Sequence, residues 1–294
     1  MKTLIIYGGI GLSTEAEVSI KSGEALLQAI PEAKCFLLTK DNFDQLLDTA
    51  IQYDIVIPTL HGNFGEDGKP QALLEEKGIK FIGSGSIASA LCWDKAKYKQ
   101  AITNLGYTTP ASKLITNTSE LPESGVIKPI GSGSSIDMLI AKPGEIFNPE
   151  HVQTLLEKYQ TLLWEEYIQG IETTVGILGT TPLPVVEIIP PDNYWFDYLH
   201  KDDGTTKELV PAIQISAELQ TKAQQIALDI HIQLGCKDIS RTDMIVKGDA
   251  IYVLETNTMP GLTPESLYPK AAKAAGYDLQ QLFLRLIDNS NIKL

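Results

Sequence analysis

Short apolar runs alternate with amphipathic stretches along the first third of the chain. The runs have the length of strands, and the stretches between them repeat apolar residues every three or four positions, which is typical of helices. The pattern predicts strands at Leu4–Tyr7, Cys35–Leu38, Ile55–Leu60 and Lys80–Ile82, and helices at Glu15–Ala29, Phe43–Gln52 and Pro70–Lys77. Strands that alternate with helices form parallel sheets covered on both faces, so residues 1–84 are predicted to be an open parallel α/β domain.

The pattern changes after residue 84. From 85 to 172, a long helix precedes short strands joined by glycine-rich turns, which predicts a small central α+β lid domain. The helix is Ala88–Leu105, and the strands are Lys113–Ile115, Gly125–Lys128, Ile136–Ile140 and Leu162–Tyr167. Residues 173–294 predict a C-terminal α+β domain. Its elements are strands Thr173–Leu178 and Leu183–Ile189, a mobile polar loop Pro190–Pro211, helix Ala217–Gly235, hairpin strands Ser240–Val246 and Ala250–Gly261, and two closing helices.

The predicted hairpin carries the most informative polar residues of the chain. Its pairing would place Asp243 beside Glu255 and Asn257, which share one face because strand side chains alternate. Two carboxylates and an amide supply the oxygen ligands that Mg²⁺ prefers, and a protein-bound Mg²⁺ usually also binds phosphate, which implies a nucleotide. Arg241 would add a positive charge on the same face. One such acid alone is more typical of an exposed hairpin surface, but four clustered polar residues favour a binding site.

Composition excludes several classes of partner. The 294 residues carry a formal net charge of −13, which argues against nucleic acid or an anionic membrane as a general partner. Three widely spaced cysteines predict neither a disulfide framework nor a zinc site, and a reducing cytosolic setting fits them. The apolar start ends within a few residues at a glycine pair, so we expect no signal peptide. No run of roughly 18 apolar residues predicts a transmembrane helix.

A lysine before a loop of small residues predicts a phosphate site. Lys128 ends a strand and is followed by the loop Gly131–Ser135, whose glycines allow backbone N–H groups to point at one anion. The loop lacks the G-K-[ST] ending of a Walker A motif, and a plain flexible turn is the alternative. The earlier turn Gly8–Gly11 only partly matches a dinucleotide fingerprint, so a dehydrogenase is disfavoured.

Two other stretches have the composition of binding sites. Leu162–Glu172 combines an apolar strand with acids at a turn, where Glu172 could bind a ribose hydroxyl, although an ordinary strand with exposed acids is the simpler interpretation. His61 and Glu66 follow a predicted parallel strand, at the sheet end where open α/β sheets bind ligands. The acids near Glu15 also fit a helix start.

Seven motifs occur in order between Gly8 and Pro269. They are G-G-x(3)-S-T-E-A-E-V-S, H-G-N-F-G-E-D-G, G-S-G-x(4)-A-x(3)-D-K, V-I-K-P-x(3)-G-S-S, G-x-E-T-T-V, R-T-D and E-T-N-T-x-P-G-x-T-x-x-S-L. Together they resemble the motifs of the D-alanine–D-alanine ligase family. The resemblance implies the ATP-grasp fold and covers nearly the whole chain. A nucleotide-binding module without catalysis remains an alternative, which would retain metal ligands but not substrate contacts.

The resemblance implies a role for each matched residue. Glu15, Ser134 and His61 would bind the first D-alanine, and Ser266 and Leu267 the carboxylate of the second. Lys95 and Lys128 would bind ATP phosphates, Glu165 and Ile168 the adenine edge, and Glu172 the ribose. Asp243, Glu255 and Asn257 would bind two Mg²⁺ ions, with Mn²⁺ as a substitute. Arg241 and the backbone N–H of Gly261 would stabilise an oxyanion, and Lys201 would act from the mobile loop.

The implied activity is ATP-dependent joining of two D-alanines through an acyl phosphate, for peptidoglycan precursors, in a cytoplasmic homodimer. A related ligase that uses D-lactate or D-serine as the second substrate is the alternative. The chain departs from the family at three places: the turn after Gly8 is two residues longer, Glu166 replaces a lysine, and Asp202 follows Lys201 where the family has tyrosine. An acid at Asp202 predicts preference for an ammonium-bearing second substrate over D-lactate.

Overall fold

A parallel sheet of three strands begins the chain in a computed structural model, which describes residues 1–10, 14–191 and 206–289. The strand order is β2-β1-β3, with both pairings parallel, as the alternating pattern predicted. The strands are β1 (Thr3–Gly8), β2 (Lys34–Leu38) and β3 (Ile55–Pro58), and the helices are α1 (Thr14–Ala29), α2 (Leu46–Ala50) and α3 (Lys69–Glu76). The sheet lies between helices because its middle strand buries both faces: Leu4, Ile5 and Ile6 have almost no exposed surface.

A four-stranded antiparallel sheet follows two short helices. Its order is β4-β7-β5-β6, and its own apolar core includes Ile127, Val152 and Leu162. The elements are α4 (Ser86–Trp93), α5 (Lys95–Asn104), β4 (Ser112–Ile115), β5 (Gly125–Pro129), β6 (Leu139–Ala141), α6 (Pro149–Tyr159) and β7 (Leu162–Glu165). The amphipathic α6 covers this sheet.

The third sheet has six antiparallel strands. Its order is β11-β10-β8-β12-β13, and β9 pairs with β8. The elements are β8 (Ile171–Leu178), β9 (Thr181–Pro182), β10 (Val186–Ile189), β11 (Lys207–Leu209), α7 (Ala217–Gln233), β12 (Ile239–Lys247), β13 (Ala250–Asn257), α8 (Leu267–Ala274) and α9 (Leu279–Asn289). One apolar cluster joins this sheet and α8–α9 to the N-terminal sheet, through residues such as Ile57, Tyr268 and Phe283. Two of the three sheets therefore share a core.

Several predicted elements were wrong in extent. The helix predicted at 88–105 is broken at Asp94, whose extended backbone caps α5 by accepting the amide of Lys97. The strand predicted at 136–140 begins only at Leu139, because Asp137 has a left-handed backbone (φ 56°) that cannot continue a ladder.

Local geometry and long-range pairing account for the other differences. The helix predicted at 43–52 is a 3₁₀ turn followed by the short α2, and the strand predicted at 80–82 makes one bridge, from Phe81 to Val56. The strand predicted at 183–189 is shortened to β10, and the polar stretch 190–211 contains β11. The division into domains at residues 84 and 172 stays a prediction, and β8 begins at Ile171. None of the helices in the described part of the chain has the length and hydropathy that a membrane-spanning segment needs.

Candidate active site

Two adjoining cavities contain most of the residues singled out by sequence. The first lies at the carboxyl end of the N-terminal sheet, and the second lies between the central and the six-stranded sheet. The first cavity is lined by His61, Lys95, Ser134, Arg241, Glu255, Asn257, Gly261, Ser266 and Leu267, and the second by Lys95, Lys128, Glu165, Ile168, Glu172, Asp243 and Glu255. Glu15 lies beside the first cavity, against Gly62 and Gly133, whereas Lys201 and Asp202 fall outside the described residues. Lys95 and Glu255 line both cavities.

The hairpin pairs as predicted and brings its polar side chains together. Asp243 on β12 lies directly opposite Glu255 on β13, and Arg241 lies opposite Asn257. Arg241 donates to Asp243 through Nε (2.9 Å) and a terminal nitrogen (2.8 Å). Thr174, opposite Asp243 on β8, donates its hydroxyl to the same carboxylate at 2.5 Å. The carboxylate of Asp243 is therefore held in one orientation at the junction of the cavities.

Arg241 carries a fixed charge in this place. Its side chain is 13% exposed, and although burial alone would lower its pKa, the carboxylates of Asp243 and Glu255 raise it above its ordinary value. The two contacts with Asp243 use two of the five guanidinium N–H donors. Arg241 can therefore hold Asp243, the candidate metal ligand, and also donate hydrogen bonds to a negative charge that develops on a substrate.

Three charged side chains form a buried network at the back of the second cavity. Glu165, which is 3% exposed, lies between Lys128 (2.9 Å to Oε2) and Lys99 (3.2 Å to Oε1). Burial alone would raise the pKa of Glu165, but the charges of Lys128 and Lys99 hold it below its ordinary value. Burial opposes the charge of Lys128 as well, but Glu165 and Glu255 raise its pKa. Lys128 is thus a persistent cation facing the cavity.

Glu165 is also one of the residues that line the second cavity. Its Oε1 is buried and lies 3.2 Å from Lys99 Nζ. A carboxylate in this cavity could accept a hydrogen bond from the exocyclic amine at the edge of a purine. Ile168, which lines the same cavity, is buried.

The glycine-rich loop between β5 and β6 closes over both cavities. Lys95 donates Nζ to the carbonyl of Ser132 (2.5 Å) and lies 3.4 Å from Glu255 Oε2. A Cβ on Gly131 would lie 2.8 Å from Trp93 Nε1, and one on Gly133 would lie 2.6 Å from Glu15 Oε1. A side chain at Gly131 would clash with the rigid ring of Trp93 on α4, and one at Gly133 would displace the carboxylate of Glu15 on α1. The glycines of this loop are therefore explained by the close approach of these side chains as well as by backbone flexibility.

The acid–base groups of the first cavity are shifted strongly by burial. Glu66 accepts the backbone N–H of Gly62 at 2.8 Å, yet burial, assisted by the charge of Glu15, raises its pKa to about 8. Burial, followed by the charge of Arg241, lowers the pKa of His61 to about 4. Both side chains are therefore mainly neutral at pH 7.

The other end of the first cavity is lined by hydroxyl and backbone groups that can form hydrogen bonds. Ser266 N-caps α8, which starts at Leu267, and its hydroxyl is 2.9 Å from that of Thr263. A Cβ on Gly261 would lie 2.8 Å from Ser266 Oγ, so the chain approaches this serine closely. A helix N-terminus with a serine hydroxyl is a suitable place for a carboxylate, as the resemblance implies for Ser266 and Leu267.

Sequence reasoning missed three residues of the site. Lys99 lies four residues after Lys95 on α5, a helical spacing that could have suggested a shared face. Thr174 lies two residues after Glu172 on β8, and strand alternation places both on the cavity face. Trp93 packs beside Lys95, whose Nζ is 5.8 Å from the ring centroid, but no local pattern distinguishes it from a core aromatic residue.

Comparison with known proteins gives consistent matches over nearly the whole chain. Residues 100–288 match the family model described as D-ala D-ala ligase C-terminus. A D-alanine–D-alanine ligase of Syntrophobacter fumaroxidans is 38% identical, with 97% of this chain and 96% of that protein aligned. The chain belongs to the D-alanine–D-alanine ligase family. Its predicted ATP-grasp fold, with a parallel N-terminal sheet, a small central lid and a C-terminal α+β part, is confirmed.

Solved structures give the same assignment. The D-alanine–D-alanine ligase of Bacillus anthracis complexed with ATP has a TM-score of 0.81 at 31% identity, and covers 99% of this chain and 96% of its own. The VanG D-Ala:D-Ser ligase of Enterococcus faecalis has a TM-score of 0.80 at 26% identity, with 98% and 99% covered. The likeness therefore spans ligases with different second substrates.

Proposed function

We propose that this protein joins two molecules of D-alanine to D-alanyl-D-alanine with cleavage of ATP to ADP and phosphate, and so supplies peptidoglycan synthesis. The observation that carries this is the pair of adjoining cavities that share Lys95 and Glu255. One has the lysines and carboxylate of a nucleotide site, and the other has the hydroxyls and helix N-terminus of an amino-acid site. Relatives named D-alanine–D-alanine ligase support the assignment.

ATP fits the second cavity by charge and shape. Lys128 and Lys95 supply cations for phosphate oxygens, and the loop at Ser132 and Gly133 supplies backbone donors. Glu165 would accept a hydrogen bond from the adenine edge, and Glu172, which lines the same cavity, would bind the ribose. The B. anthracis relative, which forms a complex with ATP, supports a nucleotide at this place.

The oxygen donors at the hairpin fit Mg²⁺. Asp243 and Glu255 lie opposite each other on neighbouring strands, and Asn257 lies two pairs further along the ladder. Carboxylate and amide oxygens, completed by phosphate oxygens and water, match the hard ligands that Mg²⁺ requires. These three residues would hold two ions, with Mn²⁺ as a substitute, and bound Mg²⁺ would neutralise phosphate charge as it is transferred.

The chain's own residues fit a two-step reaction. The carboxylate of the first D-alanine attacks the γ-phosphorus of ATP, which releases ADP and leaves an acyl phosphate. The amine of the second D-alanine, after loss of a proton, attacks the acyl carbon, and phosphate leaves from the tetrahedral intermediate. Arg241 and the N–H of Gly261 donate to the oxyanion of that intermediate. Glu15, Ser134 and His61 orient the first substrate beside Lys95.

The choice of second substrate is a separate proposal. The likeness to a D-Ala:D-Ser ligase raises D-serine, and the resemblance also allows D-lactate. We favour D-alanine, because an acid at Asp202 would attract an ammonium group and disfavour a hydroxy acid. A competition assay with equal D-alanine, D-serine and D-lactate measures the preference, and mainly ester or D-seryl product would contradict it.

The central experiment is turnover with ATP, Mg²⁺ and D-alanine. We expect phosphate and D-alanyl-D-alanine in equal amounts, and no dipeptide from L-alanine. Arg241→Met should abolish dipeptide formation, whereas Lys247→Met, at the exposed far end of the same strand, should leave turnover unchanged. Phosphate release without dipeptide in the parent protein would overturn the ligase assignment.

We further propose a cytoplasmic location and a homodimer, as the resemblance implies. Light scattering coupled to gel filtration measures the assembly, for which a mass of about twice the 32.2 kDa chain is expected. A monomer at working concentration would contradict the homodimer without bearing on the chemistry.

A further inference from the structure

Lys99 is a buried lysine that the proposed reaction does not use. It lies on α5 with its side chain 4% exposed. Its Nζ donates to Thr109 Oγ1 at 2.6 Å and lies 3.2 Å from Glu165 Oε1. Burial lowers its pKa in spite of the nearby Glu165, so the protein holds an unfavourable charge in this place. A cation is rarely kept at such a cost without a partner that needs it.

The residue that benefits from this charge is Lys128, which contacts the same carboxylate. Lys128 is 2.9 Å from the other oxygen of Glu165 and faces the second cavity. If Glu165 had no second cation, it would neutralise Lys128, and an arriving phosphate would compete with it for that charge. With Lys99 present, two lysines share one carboxylate, so the network carries a net charge of about +1. The excess charge sits where phosphate would bind.

Geometry assigns each oxygen of Glu165 to one lysine. Oε2 lies toward Lys128, and Oε1 lies toward Lys99, whose position is in turn fixed by the Thr109 hydroxyl. Lys99 belongs to α5, whereas Glu165 and Lys128 belong to β7 and β5 of the central sheet. The contact therefore also joins the central sheet to the helix that carries Lys95.

We propose that Lys99 is a positioning residue for nucleotide binding, which holds Glu165 through Oε1 and so leaves the charge of Lys128 available to the phosphates of ATP. The inference rests on the proposed function in one respect only, that the second cavity binds a nucleotide. Lys99 itself lines neither of the two cavities. Its effect is to be found in phosphate affinity and not in the affinity for D-alanine.

The test is a double-variant cycle between positions 99 and 165, with ADP affinity measured by calorimetry. We expect Lys99→Met to weaken ADP about tenfold and to raise KM for ATP similarly, because Lys128 then pairs fully with Glu165. KM for D-alanine should stay within about twofold, and Lys99→Arg should restore most of the affinity. In a Glu165→Gln background, Lys99→Met should cost less than about threefold, since there is no carboxylate left to hold.

Two controls separate this role from simple packing. Lys99→Met leaves Glu165 paired with Lys128, so neither buried charge is isolated and the variant is expected to fold; its melting temperature checks this. Lys97→Met, on the same helix with a side chain 71% exposed, should bind ADP normally. Adenosine, which has no phosphate, should bind the parent and Lys99→Met alike.

Each outcome decides the matter. Equal weakening of ADP and adenosine, or the same cost of Lys99→Met with and without the Glu165 carboxylate, would overturn the role of Lys99 while the ligase assignment stands. Unchanged ADP affinity in Lys99→Met would do the same. A parent protein that fails to bind ADP would overturn the nucleotide assignment and the inference together.

Discussion

Glu66 should make the protein less stable as the pH rises from 6.5 to 8.5. Its carboxyl lies buried beside Glu15, and burial raises its pKa from 4.5 to about 8. In the unfolded chain the same carboxyl ionises near its ordinary value. A raised pKa in the folded state means that the folded protein binds the proton more tightly. The resulting stability is complete below about pH 4.5 and is lost as the pH rises through 8.

The size of the effect follows from the two pKa values. For one group with pKa 4.5 unfolded and about 8 folded, the contribution falls by about 2 kcal/mol between pH 6.5 and 8.5. For a chain of this length, that corresponds to roughly 3 °C in melting temperature. His61 and His231, whose pKa values burial lowers to about 4, act in the opposite direction: each adds about 0.4 kcal/mol of stability between pH 6.5 and 8.5. A comparison with a Glu66 variant cancels this contribution, because both proteins contain the same histidines.

Glu66→Gln is the matched variant, because glutamine imitates the neutral carboxyl and can still accept the N–H of Gly62. Melting temperatures measured by calorimetry every half pH unit should decline less steeply for Glu66→Gln than for the parent, by the ~3 °C given above. Glu76→Gln, an exposed carboxyl on α3, should follow the parent. Parallel curves for the parent and Glu66→Gln would refute the assignment of a proton to Glu66 at neutral pH.

Three further predictions concern the nucleotide side of the site. Lys128→Ala should raise KM for ATP by about tenfold or more and KM for D-alanine much less, since the lysine acts as a point charge on phosphate; equal increases in steady-state titrations would contradict this. Asp243→Asn and Glu255→Gln should each remove most activity and weaken Mn²⁺ binding in electron paramagnetic resonance titrations, while the far-ultraviolet circular dichroism stays that of the parent. Normal Mn²⁺ affinity in both variants would refute the metal assignment. Asp137 has a left-handed backbone (φ 56°), and its carboxylate accepts hydrogen bonds from Lys158 (2.7 Å) and Tyr159 (2.5 Å), which anchors the glycine-rich loop. Both Asp137→Ala and Asp137→Gly lose these contacts, but only glycine adopts this backbone without strain, so Asp137→Ala should be about 1 kcal/mol less stable in urea denaturation. The reverse order would show that the backbone of Asp137 is not strained.

Local pattern was sufficient to predict the parts of the site that lie within one supersecondary unit. The hairpin turn and the alternation of strand faces placed Asp243 opposite Glu255 because both rules act over a few residues. A parallel N-terminal sheet followed from alternating strands and helices for the same reason. The break at Asp94 had a local signal too, an N-cap aspartate, but the continuous apolar periodicity on either side concealed it.

Contacts between distant segments could not be predicted in this way. Glu165 lies 66 positions after Lys99, on a strand whereas Lys99 is on a helix, and no periodicity relates the two. The close approach of the loop at Gly133 to Glu15 likewise depends on how the central sheet sits over α1. The shift in the pKa of Glu66 has the same origin, because burial is set by tertiary packing and not by the neighbouring residues in sequence.

The distribution of apolar cores explains why the charged network lies where it does. The N-terminal and six-stranded sheets share a core, whereas the apolar cluster of the central sheet draws its members only from residues 115 to 164. The central sheet meets the rest of the protein partly through polar contacts, Lys99 with Glu165 and Lys95 with the carbonyl of Ser132, beside the close approach of Gly131 to Trp93. An apolar junction would hold one arrangement irrespective of ligand, whereas cations beside the proposed phosphate site respond to the charge of what binds there. If phosphate binds as proposed, nucleotide binding and the placement of the glycine-rich loop depend on the same lysines.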